Sequence, residues 1–369
     1  MKTRVGVVFG GRSGEHEISL LSAESVMQAL SQSGYEVVPI GITRSGRWLT
    51  RGNPMDTLRD LADKLALGTL EPPETGQAVT ILGPQEMVPS SIGGKVPEVD
   101  VLFPVLHGPY GEDGTIQGLL ELADIAYVGA GVLGSSLCMD KAALKAVFRA
   151  EGLPTPAHIV VRRHEWETGR VAVMKRVAEE IGYPCFVKPA NLGSSVGISK
   201  VHDLSELGTA MDIAASYDRR LLVEEAINAR EIECSIIGND QPMVSVPGEV
   251  VPKREFYDYV AKYLDDSTEL IVPARLPEGK AEEIRALAAR AFVAVDCAGM
   301  ARADFFLCRD TGNVYINELN TIPGFTSVSM FPRLWEASGV SYPELVHRLV
   351  QLAFERHTER ARRSTAKAL

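Results

Sequence analysis

The chain reads as a multidomain protein of α/β and α+β type, and three observations predict it. The opening alternates strand, loop, helix and strand. Two later stretches mix short apolar strands with amphipathic helices, and prolines punctuate their border. The 369 residues, 45% of them hydrophobic, suffice for two or three domains with substantial cores.

Arg4 to Phe9 is an apolar run of strand length, and Gly10-Gly11-Arg12-Ser13-Gly14 is a tight loop. Leu20, Ala23, Met27 and Leu30 recur at helical spacing until Gly34 ends the helix, and Glu36 to Ile42 is a second strand. This βαβ start marks an α/β domain. Thr43 to Pro97 is rich in Gly, Pro, Ser and Thr and reads as a variable insertion. Val99 to Leu106 is again a strand, followed by the loop His107-Gly108-Pro109-Tyr110-Gly111 and a helix from about Thr115 to Ala123.

After a helix over Lys141 to Glu151, Pro154 and Pro156 mark a border. Strands near Ile159, at Pro184 to Lys188 and at Leu221 to Glu224, with a helix over Val171 to Ile181, make a small α+β unit. A third unit begins near Ile232. In it a helix with Ile284, Leu287, Ala291 and Val295 on one face precedes two strands joined by Arg309-Asp310-Thr311-Gly312-Asn313.

The formal net charge of -10 argues against nucleic acid as a partner. The basic cluster Arg356, Arg360, Arg362, Arg363 and Lys367 reads as a solvated terminus. Five scattered cysteines form no CxxC pair, so neither a disulfide framework nor a zinc site is expected, and most should be core residues. The apolar run Val5 to Phe9 is too short for a signal peptide, and no stretch is long enough to span a membrane, which places the protein in the cytoplasm.

Met300 to Asn320 is the most informative segment. Arg302 and Asp304 lie two apart on one strand and share a face, as do Glu318 and Asn320 on the next. A hairpin centred on Thr311 sets Asp304 opposite Glu318 and Arg302 opposite Asn320. Facing acids repel unless a cation sits between them, and this oxygen-only set suits a hard ion such as magnesium. A hairpin with a merely wet polar face would show the same pattern, and the segment alone does not separate the two. Pro323-Gly324-Phe325-Thr326-Ser327-Val328-Ser329 follows directly and offers hydroxyls and N–H groups beside the cluster.

Strand-like Cys185-Phe186-Val187 delivers Lys188-Pro189 and then Asn191-Leu192-Gly193-Ser194-Ser195-Val196-Gly197. Such a loop can fold N–H groups round phosphate oxygens. It is not a Walker A motif, because the lysine precedes the loop; a plain Gly-Ser turn is the alternative. The loop Gly10 to Gly14 lacks GxGxxG spacing, so no NAD role is expected. It presents Glu15 and Glu17 at a helix N-terminus, where a carboxylate either caps the helix or stays ionised to hold an ammonium group.

Together these segments resemble the ATP-grasp enzymes, and closely the D-alanine:D-alanine ligases. The resemblance runs in order through Gly10 to Ser19, His107-Gly108 with Gly111-Glu112-Asp113-Gly114, Met139-Asp140-Lys141, and Lys188-Pro189 with Gly193 to Gly197. It continues through Phe256-Tyr257-Asp258-Tyr259 with Lys262-Tyr263, Arg302-Ala303-Asp304, and Asn317-Glu318-Leu319-Asn320-Thr321 before Pro323-Gly324. Each piece is weak alone, whereas the ordered set is highly specific.

The resemblance implies a Rossmann-like, pre-ATP-grasp domain over residues 1–135 and a two-part ATP-grasp fold. Its central part spans 136–231 and its C-terminal part 232–357, with a mobile lid at about 249–273 and a basic tail over 358–369. It implies ATP as a substrate, two magnesium ions (with manganese as a substitute) and ligation of two D-alanines for peptidoglycan, in a homodimer without nucleic-acid or membrane partners. Lys141 and Lys188 would hold phosphates, and Glu231 the ribose. Glu224 would meet adenine together with the backbone of Glu225, Ala226 and Ile227; Phe256, Lys262, Phe306 and Asn317 complete the nucleotide set. Asp304, Glu318 and Asn320 would hold the metals. Glu15 would anchor the first ammonium, in a network with Ser194 and Tyr263, and His107 would lie beside that substrate. Arg302 would stabilise the acyl phosphate, while Ser329 and Met330 would take the second D-alanine.

Tyr263 bears on the rival D-alanine:D-lactate ligases, which replace the lid tyrosine, often with histidine. Its presence favours the dipeptide product. A non-catalytic nucleotide-binding relative is the other alternative, and the intact set of Arg302, Asp304, Glu318 and Asn320 speaks against it.

Overall fold

The structure, a computed structural model, describes residues 2–66, 98–193, 196–251 and 269–362. β1 (Arg4–Gly10), α1 (His16–Gln32) and β2 (Glu36–Ile42) form the expected βαβ start, with β1 and β2 parallel from Arg4↔Glu36 to Gly10↔Ile42. β3 (Trp48–Leu49), α2 (Pro54–Ala66), β4 (Val101–Val105), α3 (Thr115–Leu122) and β5 (Ala126–Tyr127) complete a sheet of order β3-β2-β1-β4-β5.

The stretch read as a variable insertion is partly integral to this sheet. Met55 and Leu58 of α2 are buried in the core that holds β1 and α1. Asn53 starts that helix, its Oδ1 accepting the N–H of Met55 at 3.2 Å and of Asp56 at 3.4 Å, with Pro54 as first helical residue. The remainder, residues 67–97, lies outside the described residues.

α4 (Val132–Met139) and α5 (Lys141–Ala150) lead to the second unit. β6 (His158–Arg162), α6 (Arg163–Glu180), β7 (Cys185–Pro189), β8 (Ser199–Val201), α7 (Leu204–Tyr217) and β9 (Arg220–Glu225) form it, with antiparallel sheet order β6-β9-β7-β8. α6 begins earlier than the expected Val171. Glu165 accepts the Arg162 N–H at 2.7 Å, and Gly169 (φ -146, ψ 44) kinks the helix, which breaks its periodicity in the sequence.

The third sheet runs β13-β12-β10-β14-β15, with a short β11 (Met243–Val244) paired to β10. Its strands are β10 (Ala229–Gly238), β12 (Gly248–Val251), β13 (Glu269–Ile271), β14 (Gly299–Cys308) and β15 (Val314–Asn320). α8 (Lys280–Ala294) covers one face through Ile284, Leu287 and Ala291, with Val295 just beyond it, as its spacing predicted. β12 pairs with β13 at Glu249↔Ile271, so the segment expected as a lid leaves and returns on neighbouring strands; residues 252–268 lie outside the described ones.

α9 (Met330–Ala337) and α10 (Tyr342–Ala361) close the chain. Leu345, Val346, Leu349 and Val350 of α10 join the core of the first sheet, so the C-terminus packs back on the N-terminal domain. Arg356 and Arg360 are therefore not a solvated terminus. The Arg356 guanidinium stacks over the Tyr127 ring at 4.0 Å, and Arg360 meets Glu121 at 2.9 Å. Residues 363–369 lie outside the described residues. The five cysteines are free and buried. Among the described residues no helix is long and apolar enough to cross a membrane.

Candidate active site

β1 and β4 are parallel neighbours that end together at Phe9↔Val105, so the loops beyond their carboxyl ends meet. Ser13 Oγ donates to the His107 carbonyl at 2.6 Å and accepts the Glu15 N–H at 3.2 Å. Glu15 occupies the N-cap of α1 but makes no side-chain cap bond there. Its carboxylate lies against two glycines instead. A Cβ on Gly108 (φ +75) would sit 2.8 Å from Glu15 Oε2, and one on Gly193 would sit 3.7 Å away. Three loops from two sheets thus converge on one acid. Glu17 is engaged elsewhere, with Arg44 at 2.5 Å.

His107 is buried and held at both nitrogens, Nδ1 at 3.0 Å from the Ile322 carbonyl and Nε2 at 3.2 Å from Ser22 Oγ. A carbonyl only accepts, so Nδ1 carries the proton and Nε2 accepts from the Ser22 hydroxyl. Burial lowers its pKa, against the pull of Glu15 and the Ile322 carbonyl. The ring therefore ties α1 to the chain beyond β15, and its nitrogens are already taken by protein.

Glu112, which sequence reasoning did not single out, belongs to the same pocket. Its Oε2 accepts the Gly108 N–H at 2.9 Å. Burial, then the Glu15 charge, pushes its pKa up to about 8, opposed by the Gly108 and Ile322 backbone and by Arg302. Glu15 and Arg302 thus both act on it electrostatically. An acid among glycines straight after a buried strand was the available signal.

On the third sheet the expected pairs form, Arg302↔Asn320 and Asp304↔Glu318. They do so through a bulge. Phe305 pairs with Ile316, which leaves Asn317 as an extra residue and lets Ile316 and Leu319 both reach the core while Glu318 and Asn320 face the site. Arg302 grips Asp304 with two bonds of 2.7 Å, Nε to Oδ1 and the terminal nitrogen to Oδ2. Its Nε also lies 3.1 Å from Glu233 Oε2. Lys141 Nζ donates to the Leu192 carbonyl at 2.7 Å and lies 3.5 Å from Glu318.

Lys188 reaches Glu224 Oε1 at 2.8 Å, and Lys145 reaches Oε2 at 2.7 Å. Burial alone would raise the Glu224 pKa; the two lysines outweigh it and hold it at about 2. Both Glu224 oxygens are thus occupied by ammonium groups, where contact with adenine was expected. Lys145, buried and also 3.3 Å from the Asn317 carbonyl, was missed. Its position one turn after Lys141, between apolar Leu144 and Phe148, was the available signal.

Other expected residues divide. The Glu225 carboxylate accepts the Ala157 N–H at 2.7 Å, and the Ala226 N–H donates to the Pro184 carbonyl at 3.1 Å, so both groups serve the sheet edge. Ile227 follows directly, beyond the end of β9. Glu231 pairs with Val250 and Phe306 in register, on the face that carries Glu233. Ser329 begins α9 without capping it, and its Oγ meets Thr326 Oγ1 at 2.7 Å. The Met330 side chain is packed under Gly248 with Val250 and Leu334. It fills the core and does not line the site as expected, because the first turn of α9 points it at the sheet. Ser194, Phe256, Lys262 and Tyr263 lie outside the described residues.

Comparison with known proteins gives the family. The families described as D-ala D-ala ligase N-terminus and C-terminus match residues 4–130 and 147–351. A D-alanine--D-alanine ligase of Thermoanaerobacter sp. (strain X514) is 51% identical, over 98% of this chain and 99% of its own. One from Caldicellulosiruptor bescii is 49% identical, over 97% of each. Among solved structures, the D-alanine-D-alanine ligase of Coxiella burnetii superposes with a TM-score of 0.81 at 35% identity, over 98% of this chain and 96% of its own. The VanG D-Ala:D-Ser ligase of Enterococcus faecalis gives 0.80, also at 35% identity, over 96% and 100%. The chain belongs to the D-alanine–D-alanine ligase family.

Proposed function

We propose that this chain uses ATP to join two D-alanines into D-alanyl-D-alanine for peptidoglycan synthesis, in the cytoplasm and as a homodimer. The observation that carries the reading is the meeting of Glu15 with Gly193, which brings an acid suited to an ammonium group against a loop suited to phosphate. In the first step a D-alanine carboxylate attacks the γ-phosphorus of ATP, giving an acyl phosphate and ADP. In the second the amine of another D-alanine attacks the acyl carbon, and phosphate leaves with the bonding electrons.

Glu15 holds the first ammonium and so aims its carboxylate at the nucleotide. Lys141 and Lys188 take phosphate oxygens, and Arg302 neutralises charge that develops on the acyl oxygens. The start of α9, with Ser329 and Thr326, receives the second carboxylate at a helix N-terminus. Glu231 and Phe306 share the face on which the nucleoside lies. The Ser194, Tyr263 and Lys262 roles, and those of the domain limits and lid, remain part of this proposal.

The residues present fit magnesium. Among the described residues no three His, Cys, Asp or Glu side chains gather as a metal site. Asp304, Glu318 and the Asn320 amide nevertheless share a face, and both acids already have cationic neighbours in Arg302 and Lys141. Two carboxylates, an amide and phosphate oxygens are an ordinary magnesium set, and the ion would there offset the charge on the phosphates.

Phosphate release from Mg-ATP tests the reading. It should require D-alanine and fail with L-alanine, and mass spectrometry should identify D-alanyl-D-alanine. Product formed only with D-serine or D-lactate as second substrate would reassign the specificity.

A further inference from the structure

Glu233 has no place in the mechanism above, although it stands in the middle of it. β10 pairs with β14 at Glu233↔Asp304, and β14 with β15 at Asp304↔Glu318. Three acids therefore line up across three strands on one face. Ile232, Cys234 and Ile236 alternate with the β10 acid and enter the core beneath, which fixes the direction of Glu233. Its side chain is 10% exposed, too deep for a solvated surface acid.

Arg302 stands between two of these carboxylates. Its fork is closed on Asp304 by two bonds of 2.7 Å, while Glu233 Oε2 waits 3.1 Å from the same Nε. A bidentate pair engages one lone pair on each oxygen of Asp304, so a cation that takes those same positions competes with the fork. Opening it would take from a largely buried guanidinium its bidentate acceptor. A second carboxylate within reach removes that obstacle, because the Nε–H needs only to turn.

We propose that Glu233 is a positioning residue for Arg302: it takes the guanidinium when Asp304 turns to a divalent cation, and so keeps Arg302 beside the substrate. This rests on the reading of Asp304 as a metal ligand. Glu233 does not touch the cation in this scheme, and its effect passes through Arg302 alone.

Manganese binding in the presence of a non-hydrolysable ATP analogue tests this without turnover, since the free ion is counted by its electron paramagnetic resonance signal. Four proteins make a double-mutant cycle: wild type, Glu233→Gln, Arg302→Met, and both together. Glu233→Gln should weaken manganese binding about tenfold with Arg302 present, and less than about twofold when Arg302 is methionine. Equal weakening in both backgrounds would make Glu233 a ligand or a bare charge, and no weakening in either would make it structural; both outcomes overturn the proposal. If Glu233→Gln does not fold, Glu233→Asp keeps the charge but shortens the reach, and its loss should likewise disappear without Arg302. A wild type that binds manganese no more tightly than Asp304→Asn would sink the metal reading first, and this proposal with it.

Discussion

Lys145 Nζ lies 2.7 Å from Glu224 Oε2, and each of these side chains is 1% exposed. With Lys188 on the other oxygen, this is a largely buried triad of charges that reaches the site at Lys188 and is joined to β15 through the Asn317 carbonyl. Its geometry links α5, β7, β9 and the bulge that aims Glu318.

Replacing Lys145 by methionine should therefore destabilise the protein, by roughly 3–5 kcal/mol, the usual effect of breaking a buried pair. The folded-state pKa of Glu224 is depressed from 4.5 to about 2, so its contribution to stability is present above about pH 4.5 and is lost as pH falls towards 2. Lys145→Met should move that acid-side loss to higher pH. Urea unfolding at several pH values measures both effects, and a change under about 1 kcal/mol would show the triad to be well solvated.

Glu112 gives the opposite sign. Its folded pKa is raised from 4.5 to about 8, so the folded protein keeps a proton that the unfolded chain has released. Stability from this group is complete below about pH 4.5 and declines as pH rises towards 8. Glu112→Gln keeps the shape, though it gives up a carboxylate that accepts the Gly108 N–H. Its stability should vary less than that of the wild type across this window. Parallel curves for the two proteins would mean that Glu112 is ionised throughout.

The hairpin face was legible in the sequence. Alternation gave the face shared by Arg302 and Asp304, and the pairing with Glu318 and Asn320 followed from a turn centred on Thr311. The register nearest the turn, Phe305↔Ile316, would on its own have set Asp304 against Asn317. The bulge restores the expected pair, and nothing local announces it, because it depends on Ile316 and Leu319 both finding the core. Lys145 and Glu233 were hidden for a related reason. Each looks like a polar residue on an amphipathic element, and only the partner strands reveal that its polar end is enclosed. The start of α2 was legible in Asn53-Pro54 but was masked by the loop-like composition around it.

His107 offers a third test. With Nδ1 donating to Ile322 and burial opposing the charged form, the ring should be neutral and Nδ1-protonated at neutral pH, and should take up its second proton at lower pH than an ordinary histidine. Nitrogen chemical shifts of labelled protein report the tautomer directly. Ser22→Ala removes the donor to Nε2 and should loosen the ring without charging it. A titration midpoint for His107 near its ordinary value would show that the clasp between α1 and Ile322 is open in solution.

Glu318 separates catalysis from stability most cleanly. Its contact with Lys141 is 3.5 Å long and its side chain is 23% exposed, so the pair contributes little to folding, about 0–1 kcal/mol. Its place opposite Asp304, however, puts it on the face that would meet ATP-bound magnesium. Glu318→Gln keeps the volume and hydrogen-bonding reach but removes the charge that a divalent ion requires. Turnover should fall by at least about a hundredfold while the thermal midpoint moves by only a few degrees. Raising magnesium should recover part of the loss if the residue acts on ion affinity. Full activity at ordinary magnesium would instead place the ion elsewhere and overturn the metal role of Glu318.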